Sequence, residues 1–249
     1  MIRAASHVAP SALVDWGLAE RPRQGGAESG DRHVVQPFAS GVLLAVVDGL
    51  GHGEPAAAAA RLAVAILAEH ADEPPSLLVE RCHTSLAPTR GVVMSLASVR
   101  TLDHTMSWLG VGNVEAVLLR RDGGSGGTGE SPQLKERARD SLPRERPGGA
   151  QCPRSESERG FIPRERKMEQ LLLRPGVVGQ KLPVLQPVLL KVEPGDTLVL
   201  ATDGIRSGFT AALTPGRSPR QLADGILAGH GRDEDDALVL VARLRGAAG

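Results

Sequence analysis

Four acidic positions in this sequence share one setting, because each lies where an apolar, strand-like run begins or ends. Asp48 follows such a run in VVDGLGHG, and Asp203 follows another in LVLATDGI. Asp31 directly precedes RHVV, and the pair Asp235 and Asp236 precedes ALVLV. Since the strand ends of a rigid sheet can project side chains toward a common point, we expect these carboxylates to converge.

A cluster of carboxylates with few nearby cations cannot stay ionised without repulsion, so it either shares protons or binds metal ions. Oxygen donors of this kind suit hard divalent cations such as Mg²⁺ or Mn²⁺. The seven histidines are scattered, and no spacing of Cys and His is typical of a zinc site. From the residues alone, shared protons and bound metal both stay open. If the cluster binds a metal, its oxygen ligands favour a hard divalent cation over zinc.

Glycine directly follows two of these aspartates, Asp48 and Asp203. Glycine leaves the backbone free to turn sharply after each strand. The carbonyl of Gly49 can then turn toward a cation, and Gly51 and Gly53 let the chain pass close to the site before a helix begins.

The elements that would position these residues can be predicted from periodicity and turn residues. Strands are predicted in RHVVQPF, GVLLAVV, GVVMSLASVR, TMSWLGVG, VEAVLLR and DALVLVARL. PVLLKV and TLVLAT, joined by the turn EPGD, are expected to form a further hairpin. Helices are predicted over residues 55–70, 76–86 and 218–230. Strands in hairpins with helices between them predict an α+β fold with antiparallel sheets.

Bulk properties exclude several classes of protein. The chain has 249 residues, of which 41% are hydrophobic, and 29 Lys and Arg balance 29 Asp and Glu. This balance gives no electrostatic case for a nucleic-acid or membrane partner, and no run of about 18 apolar residues predicts a membrane span. Cys82 and Cys152 cannot form a disulfide framework. We therefore expect a reduced, cytoplasmic protein.

Residues 121–170 differ from their surroundings, because 20 of these 50 residues are charged and only five are Val, Ile, Leu, Met, Phe or Trp. Such a segment buries too little apolar surface to offset its ordering entropy. We predict a disordered insertion within a single domain that spans residues 1–249. The repeat of LPRER at 142–146 as IPRER at 162–166 favours a local duplication, with a docking motif for an acidic partner as the alternative.

The motifs ESGD, VVDGLGHG, LVLATDGI and DDALVLV, in this order, resemble the SpoIIE-type branch of the metal-dependent protein phosphatases, the type 2C superfamily. VDWGLAERPRQGGAESGD, WLGVGNVEAVLLR and PGVVGQKLP are similar to segments of its RsbX-like stressosome phosphatases. The resemblance covers residues 15–120 and 174–244. It implies a four-layer α/β/β/α sandwich of two antiparallel sheets flanked by helices.

The same resemblance implies a two-metal phosphatase that uses Mn²⁺ or Mg²⁺. Asp48 would bridge the two ions, and the carbonyl of Gly49 would complete one coordination sphere. Asp203 and Asp235 would hold the other ion. Asp31 would act on one ion directly or through its waters. A water activated between the ions would attack phosphorus in line with the leaving oxygen, so Asp48 and Asp203 count as catalytic as well as metal-binding residues.

Two assignments depart from the family pattern or stay open. Asp235 is favoured over Asp236 as the ligand, because the ligand of the family is the first residue of this pair. His52 is similar to the histidine of the superfamily motif DGHG and would act as the catalytic general acid. This chain reads DGLGHG instead, so the position of His52 differs from that of the family histidine.

The arginine with which the superfamily grips phosphate has no evident counterpart near the start of this sequence. Arg32 is adjacent to Asp31, and adjacent strand residues point to opposite faces, so Arg32 is left out of the site. The segment GVGNVE lacks the lysine of a phosphate-binding loop and opens no helix. A strand bend is favoured there, with Asn113 near the site.

The resemblance implies that the substrate is a protein phosphorylated on serine or threonine, in a bacterial partner-switching or stress-signalling pathway. The RsbX-like segments favour STAS-domain proteins of a stressosome as the substrates. An anti-anti-sigma factor is the alternative substrate. A catalytically weak module that only binds its phosphoprotein and a scaffold that acts through the PRER segment are alternatives of other classes.

Overall fold

The computed structural model describes residues 13–25, 28–100, 103–121 and 167–245. Five strands form sheet A, in the order β1 (Val14–Arg21), β10 (Ala237–Leu244), β9 (Thr197–Ala201), β6 (Glu115–Leu119) and β7 (Met168–Gln170). Five form sheet B, in the order β2 (Asp31–Phe38), β3 (Gly41–Gly49), β4 (Val92–Arg100), β5 (Thr105–Val111) and β8 (Val188–Lys191). All pairs of neighbouring strands are antiparallel.

The three predicted helices are confirmed as α1 (Glu54–Glu69), α2 (Pro75–Leu86) and α3 (Pro219–His230). A proline lies in the first turn of each helix, and Ser218 and Gln221 form a capping box at the start of α3. A short 3₁₀ helix spans Phe209–Ala212. None of the helices in the described ranges is long and apolar enough to cross a bilayer.

Three apolar clusters show how these elements are layered. Alternate residues of a strand face opposite sides of its sheet. Leu44 of β3 and Leu240 of β10 therefore belong to a core between the two sheets. Leu43 belongs to a second core with α1 and α2, and Val239 to a third core with α3. Helices thus cover both outer faces, and the predicted α/β/β/α sandwich is confirmed.

The alanine-rich sequence of α1 allows this helix to lie close to sheet B. Five alanines of α1 are completely buried. Where the helix begins, a Cβ atom on Gly49 would come within 2.2 Å of the carbonyl oxygen of Ala56. Only glycine fits at the end of β3 when the helix is this close. This contact fixes the path of the chain directly after Asp48.

Two expectations for the strands need correction. The predicted hairpin of PVLLKV and TLVLAT is wrong, because β8 pairs with β5 in sheet B, whereas β9 lies between β10 and β6 in sheet A. The buried carboxylate of Asp196 accepts hydrogen bonds from the N–H groups of Glu193 and Arg121 (3.1 and 2.9 Å). These bonds tie the intervening turn to the end of β6, so the chain changes sheets there.

Strand β1 was not predicted from the sequence, although it pairs with β10 along its whole length, from Val14↔Leu244 to Arg21↔Ala237. Its sequence, VDWGLAER, lacks a clear alternation of apolar and polar residues. Gly17 at its centre allows α3 to pack closely, since a Cβ atom there would come within 2.3 Å of the Arg220 backbone. Tertiary packing rather than local pattern determines this strand.

Most of the predicted insertion lies outside the described residues, but its last residues do not fit the prediction. Met168–Gln170 form β7, which pairs with β6. The N–H of Arg120 also donates to the carbonyl of Lys167 (3.0 Å), and the guanidinium of Arg120 forms an ion pair with Glu169 (3.0 Å). Backbone pairing and this ion pair hold residues 167–170, so the boundary at 170 is too late.

We predict that residues 122–166 can be replaced by a short glycine-containing turn without loss of the fold. The β6–β7 pairing already holds both ends of this segment side by side, and a change in loop length costs little free energy. Thermal and denaturant unfolding of the deletion variant should each show one cooperative transition, as for the full chain.

A deletion of residues 121–170 is the matched control, because it also removes β7 and the ion pair between Arg120 and Glu169. We expect this larger deletion to unfold at a lower denaturant concentration than the smaller one. Loss of cooperative unfolding after removal of 122–166 alone would contradict the assignment of one domain with a dispensable insertion.

Candidate active site

The predicted aspartates come from the ends of four strands in both sheets. Asp31 opens β2 and is the register partner of Asp48 near the end of β3. Asp203 lies two residues after β9, and Asp235 lies two residues before its neighbour β10. The hydroxyl of Thr202 donates a hydrogen bond to Oδ2 of Asp31 (2.8 Å). This bond joins the end of β9 in sheet A to the start of β2 in sheet B, so the structure brings these strand ends together.

The carboxylate of Asp31 is buried, and 2% of the residue is exposed. Burial raises its pKa above the usual carboxyl range, and the negative charges of Asp236, Asp203 and Asp235 raise it further. The hydrogen bond from Thr202 acts in the opposite direction. The charged aspartates at the other strand ends therefore act on the carboxylate of Asp31.

Burial and neighbouring negative charges also raise the pKa values of Asp48 and Asp203. Burial raises the pKa of Asp48, and four neighbouring aspartates raise it further. Burial and the charge of Asp235 raise the pKa of Asp203, whereas the amide of Asn113 and the charge of Arg232 lower it. Nδ2 of Asn113 donates to Oδ2 of Asp203 over 2.7 Å. These carboxylates destabilise one another, and a bound cation would relieve that repulsion.

The chemistry of this donor set fits a hard divalent cation, although within the described ranges no three or more His, Cys, Asp or Glu side chains are placed as a ready metal-binding group. All the donors are oxygens, and burial and neighbouring aspartates raise the pKa values of Asp31, Asp48 and Asp203. The residues that would hold metal ions are those predicted from the sequence, namely Asp31, Asp48, Asp203, Asp235 and the carbonyl of Gly49. These assignments stay predictions.

The hydrogen bonds of the adjacent acids favour Asp235 over Asp236 as a ligand. Both carboxylate oxygens of buried Asp236 accept backbone hydrogen bonds, one from the N–H of Arg23 (2.9 Å) and one from the N–H of Gly30 (2.7 Å). Asp235 is exposed, and its Oδ1 accepts the N–H of Asp236 (2.9 Å). Asp236 thus fixes the backbone just before Asp31, and the exposed Asp235 stays the predicted ligand.

Arg32, which the sequence leaves out of the site, stabilises the turn that carries Asp31. Its guanidinium donates to the carbonyls of Ser29 (2.7 Å) and Asp31 (2.8 Å) and to the carboxylate of Glu28. Glu28 also accepts a hydrogen bond from Arg61 of α1 (2.6 Å). This network ties the segment ESGD to the helix that begins beyond Asp48.

Gly49 and His52 lie on either side of the turn between β3 and α1. The N–H of Gly49 donates to the carbonyl of Gly30 (3.2 Å), so the ends of β2 and β3 stay paired beyond the two aspartates. His52 is exposed, and it makes no hydrogen bond or ion pair with any residue that the structure describes. The proposed role of His52 in proton transfer stays a prediction.

Sequence reasoning missed Thr202 and the anchoring role of Asp236. Thr202 also accepts the N–H of Leu238 through its hydroxyl (2.9 Å), so one side chain links β9, β10 and Asp31. The local signal for Thr202 is a polar residue that ends the apolar run LVLAT directly before Asp203. Asp236 offers no comparable signal, because its partners lie far away in the sequence.

We predict that Thr202→Val lowers the free energy of unfolding by about 1–3 kcal/mol. Valine keeps the volume of threonine but leaves the buried carboxylate of Asp31 and the N–H of Leu238 without this hydroxyl. Denaturant unfolding measures the loss. Thr202→Ser retains the hydroxyl and is the control, and equal losses in the two variants would show that the hydrogen bonds contribute nothing.

Comparisons with known proteins agree with this architecture. No protein-family model and no curated protein matches the sequence. One similar structure comes from work on the bacterial stressosome, described as a modular system that has been adapted to control secondary messenger signalling. It has a TM-score of 0.70 and 24% identity, over 92% of this chain and 99% of that chain. RsbX in complex with magnesium has a TM-score of 0.72 and 16% identity, over 96% and 98% of the chains.

The PP2C phosphatase domain of SpoIIE from Bacillus subtilis has a TM-score of 0.62 and 19% identity, over 93% of this chain and 64% of that chain. The fold of this chain thus recurs in solved structures of which at most 24% of the sequence is identical. The chain has the fold of the PP2C phosphatases, in agreement with the resemblance of its motifs to the SpoIIE-type and RsbX-like proteins.

Proposed function

We propose that this chain is a metal-dependent protein phosphatase that hydrolyses phosphoserine or phosphothreonine. The observation that carries the proposal is the convergence of aspartates from four strand ends, in both sheets, where burial and neighbouring aspartates raise the pKa values of Asp31, Asp48 and Asp203. A fold shared with RsbX in complex with magnesium supports the same conclusion. A module that only binds protein has no need to bury so much like charge.

In this proposal the carboxylates hold two Mn²⁺ or Mg²⁺ ions, and neighbouring residues keep those carboxylates in place. When bound, such ions supply positive charge that polarises the phosphoryl group and lowers the pKa of a water. Asp48 near the end of β3 in sheet B and Asp203 after β9 in sheet A would both hold the ions. Thr202 orients Asp31, Asn113 orients Asp203, and the N–H bonds to Asp236 fix the backbone before β2.

We assign the transfer of a proton to the departing oxygen of serine or threonine to His52. Its imidazole is exposed in the turn that begins directly after Gly49, where an approaching phosphoprotein can reach it. The glycines at positions 51 and 53 both have positive φ angles (90° and 73°), so this turn depends on glycine. This turn places His52 four residues after Asp48 in the chain and leaves its imidazole exposed.

For the substrate, we propose a phosphorylated STAS-domain protein of a bacterial stressosome, in the cytoplasm. The support is the likeness to a stressosome structure and to RsbX, together with the RsbX-like segments of the sequence. An anti-anti-sigma factor is the alternative, supported by the likeness to SpoIIE, which is described as a cell-fate determinant. Both substrates present phosphoserine or phosphothreonine on a folded protein.

We predict that the wild-type chain hydrolyses p-nitrophenyl phosphate and a phosphoserine peptide in the presence of Mn²⁺, and that EDTA abolishes the activity. Asp203→Asn should lower kcat/KM roughly 100-fold or more, because it removes charge that would hold an ion needed in the transition state. Steady-state rates with both substrates measure the effect.

Asp224→Asn is the matched control, because it removes an exposed aspartate of α3 that pairs with Arg220 (3.0 Å). This variant should retain wild-type rates. A folded wild-type chain without turnover in any divalent cation, on peptide or protein substrates, would contradict the proposal. Retained binding of the phosphoprotein in that case would favour a binding module.

A further inference from the structure

Arg90 lies in the turn between α2 and β4, at the same end of sheet B as Asp48. The register of β3 and β4 pairs Asp48 with Val93 and Gly49 with Val92, so the residues before Val92 continue beside the turn that follows Gly49. The N–H of Leu50 donates to the carbonyl of Gly91 (3.1 Å). This hydrogen bond holds the two turns together beyond the ends of their strands.

The guanidinium of Arg90 lies directly against Gly51. A Cβ atom on Gly51 would come within 2.8 Å of Nη1 of Arg90, and the φ angle of Gly51 is 90°. Glycine at this position therefore both permits the turn and makes room for the guanidinium. Gly51 is three residues after Asp48 and directly precedes His52, so the guanidinium contacts the turn that carries His52.

The segment PGVVGQKLP, which is similar to a segment of RsbX-like proteins, holds the turn that carries Arg90. Val178 exchanges two backbone hydrogen bonds with Val92 (2.9 and 3.0 Å). The side-chain amide of Gln180 donates to the carbonyl of Thr89 (2.7 Å). Hydrogen bonds thus hold the backbone on both sides of Arg90 beside the turn that follows Gly49.

The side chain of Arg90 is exposed and, among the residues that the structure describes, has no carboxylate partner. Three other described arginines do have a carboxylate partner. Arg32 and Arg61 both pair with Glu28, and Arg81 pairs with Glu73. An exposed guanidinium without a carboxylate partner among the described residues is suited to an anion, and its planar donors match two oxygens of a phosphate.

From these contacts we infer that Arg90 binds the phosphoryl oxygens of the substrate at the aspartate site. The inference rests on the proposed phosphatase function, since it names the residue that gives this site its affinity for a phosphomonoester. The sequence has no evident arginine for this purpose near Asp31, and the structure supplies one from a different turn. Arg90 would orient the phosphoryl group while His52, on the adjacent turn, faces the departing oxygen.

The test compares Arg90→Met, which keeps much of the length of the side chain, with Arg90→Lys, which keeps its charge. Arg220→Met is the matched control, because Arg220 is exposed on α3 and pairs with Asp224. Isothermal titration calorimetry measures the Kd of inorganic phosphate for the Mn²⁺-loaded protein. Steady-state kinetics with p-nitrophenyl phosphate and a phosphoserine peptide give KM and kcat separately.

We expect Arg90→Met to raise the Kd of phosphate roughly tenfold or more, because a charge-assisted hydrogen bond is lost. The KM for both substrates should rise by a similar factor and more than kcat falls. Arg90→Lys should lie between Arg90→Met and the wild type, and Arg220→Met should match the wild type. Mn²⁺ affinity and the unfolding temperature should be unchanged in all three variants.

An unchanged Kd of phosphate in Arg90→Met, or no phosphate binding by the wild type, would overturn the inference. A rise in KM for the peptide alone would also overturn it, because Arg90 would then contact the peptide rather than the phosphoryl group. Wild-type phosphate binding that depends on Arg90, without turnover, would contradict the phosphatase function and leave the inference standing.

Discussion

Placing several carboxylates close together at one end of a sandwich costs free energy, because each charge loses hydration and repels the others. The effect is largest at Asp48, where burial and four neighbouring aspartates raise the pKa to about 9, and burial raises the pKa of Asp31 to about 7. The hydroxyl of Thr202 donates to Asp31, two backbone N–H groups donate to Asp236, and the amide of Asn113 donates to Asp203. These donors come from several elements, so the site depends on the whole sandwich.

The packing of the rest of the chain supplies the rigidity that this arrangement needs. Apolar clusters lie between the sheets and beneath the helices on both outer faces. The alanines of α1 and the lack of a side chain at Gly49 allow the helix to begin in contact with the end of β3. The same close approach sets the path of the turn that carries His52 and contacts Arg90. The position of the turn after β3, which carries His52, and its contact with Arg90 before β4 therefore depend on this packing.

The positions of the main aspartates could be predicted because local patterns determine them. Asp48 and Asp203 end long apolar runs and precede glycine, and such signals do not depend on distant residues. The pairing of β8 could not be predicted in this way, because the turn EPGD is local whereas the free sheet edge that receives the strand is not. Thr202 and Arg90 act through residues far away in the sequence, so only the register of the strands brings them to the site.

The central claim, that aspartates from both sheets form a site for divalent cations, is tested most directly by calorimetric titration of Mn²⁺ into the metal-free protein. We expect saturable binding that approaches two ions per chain, and a loss of most of this binding in Asp48→Asn. Asp224→Asn, which removes the same charge from the surface of α3, should bind as the wild type does. Absence of saturable binding in the folded wild type, or equal binding by Asp48→Asn, would contradict the account.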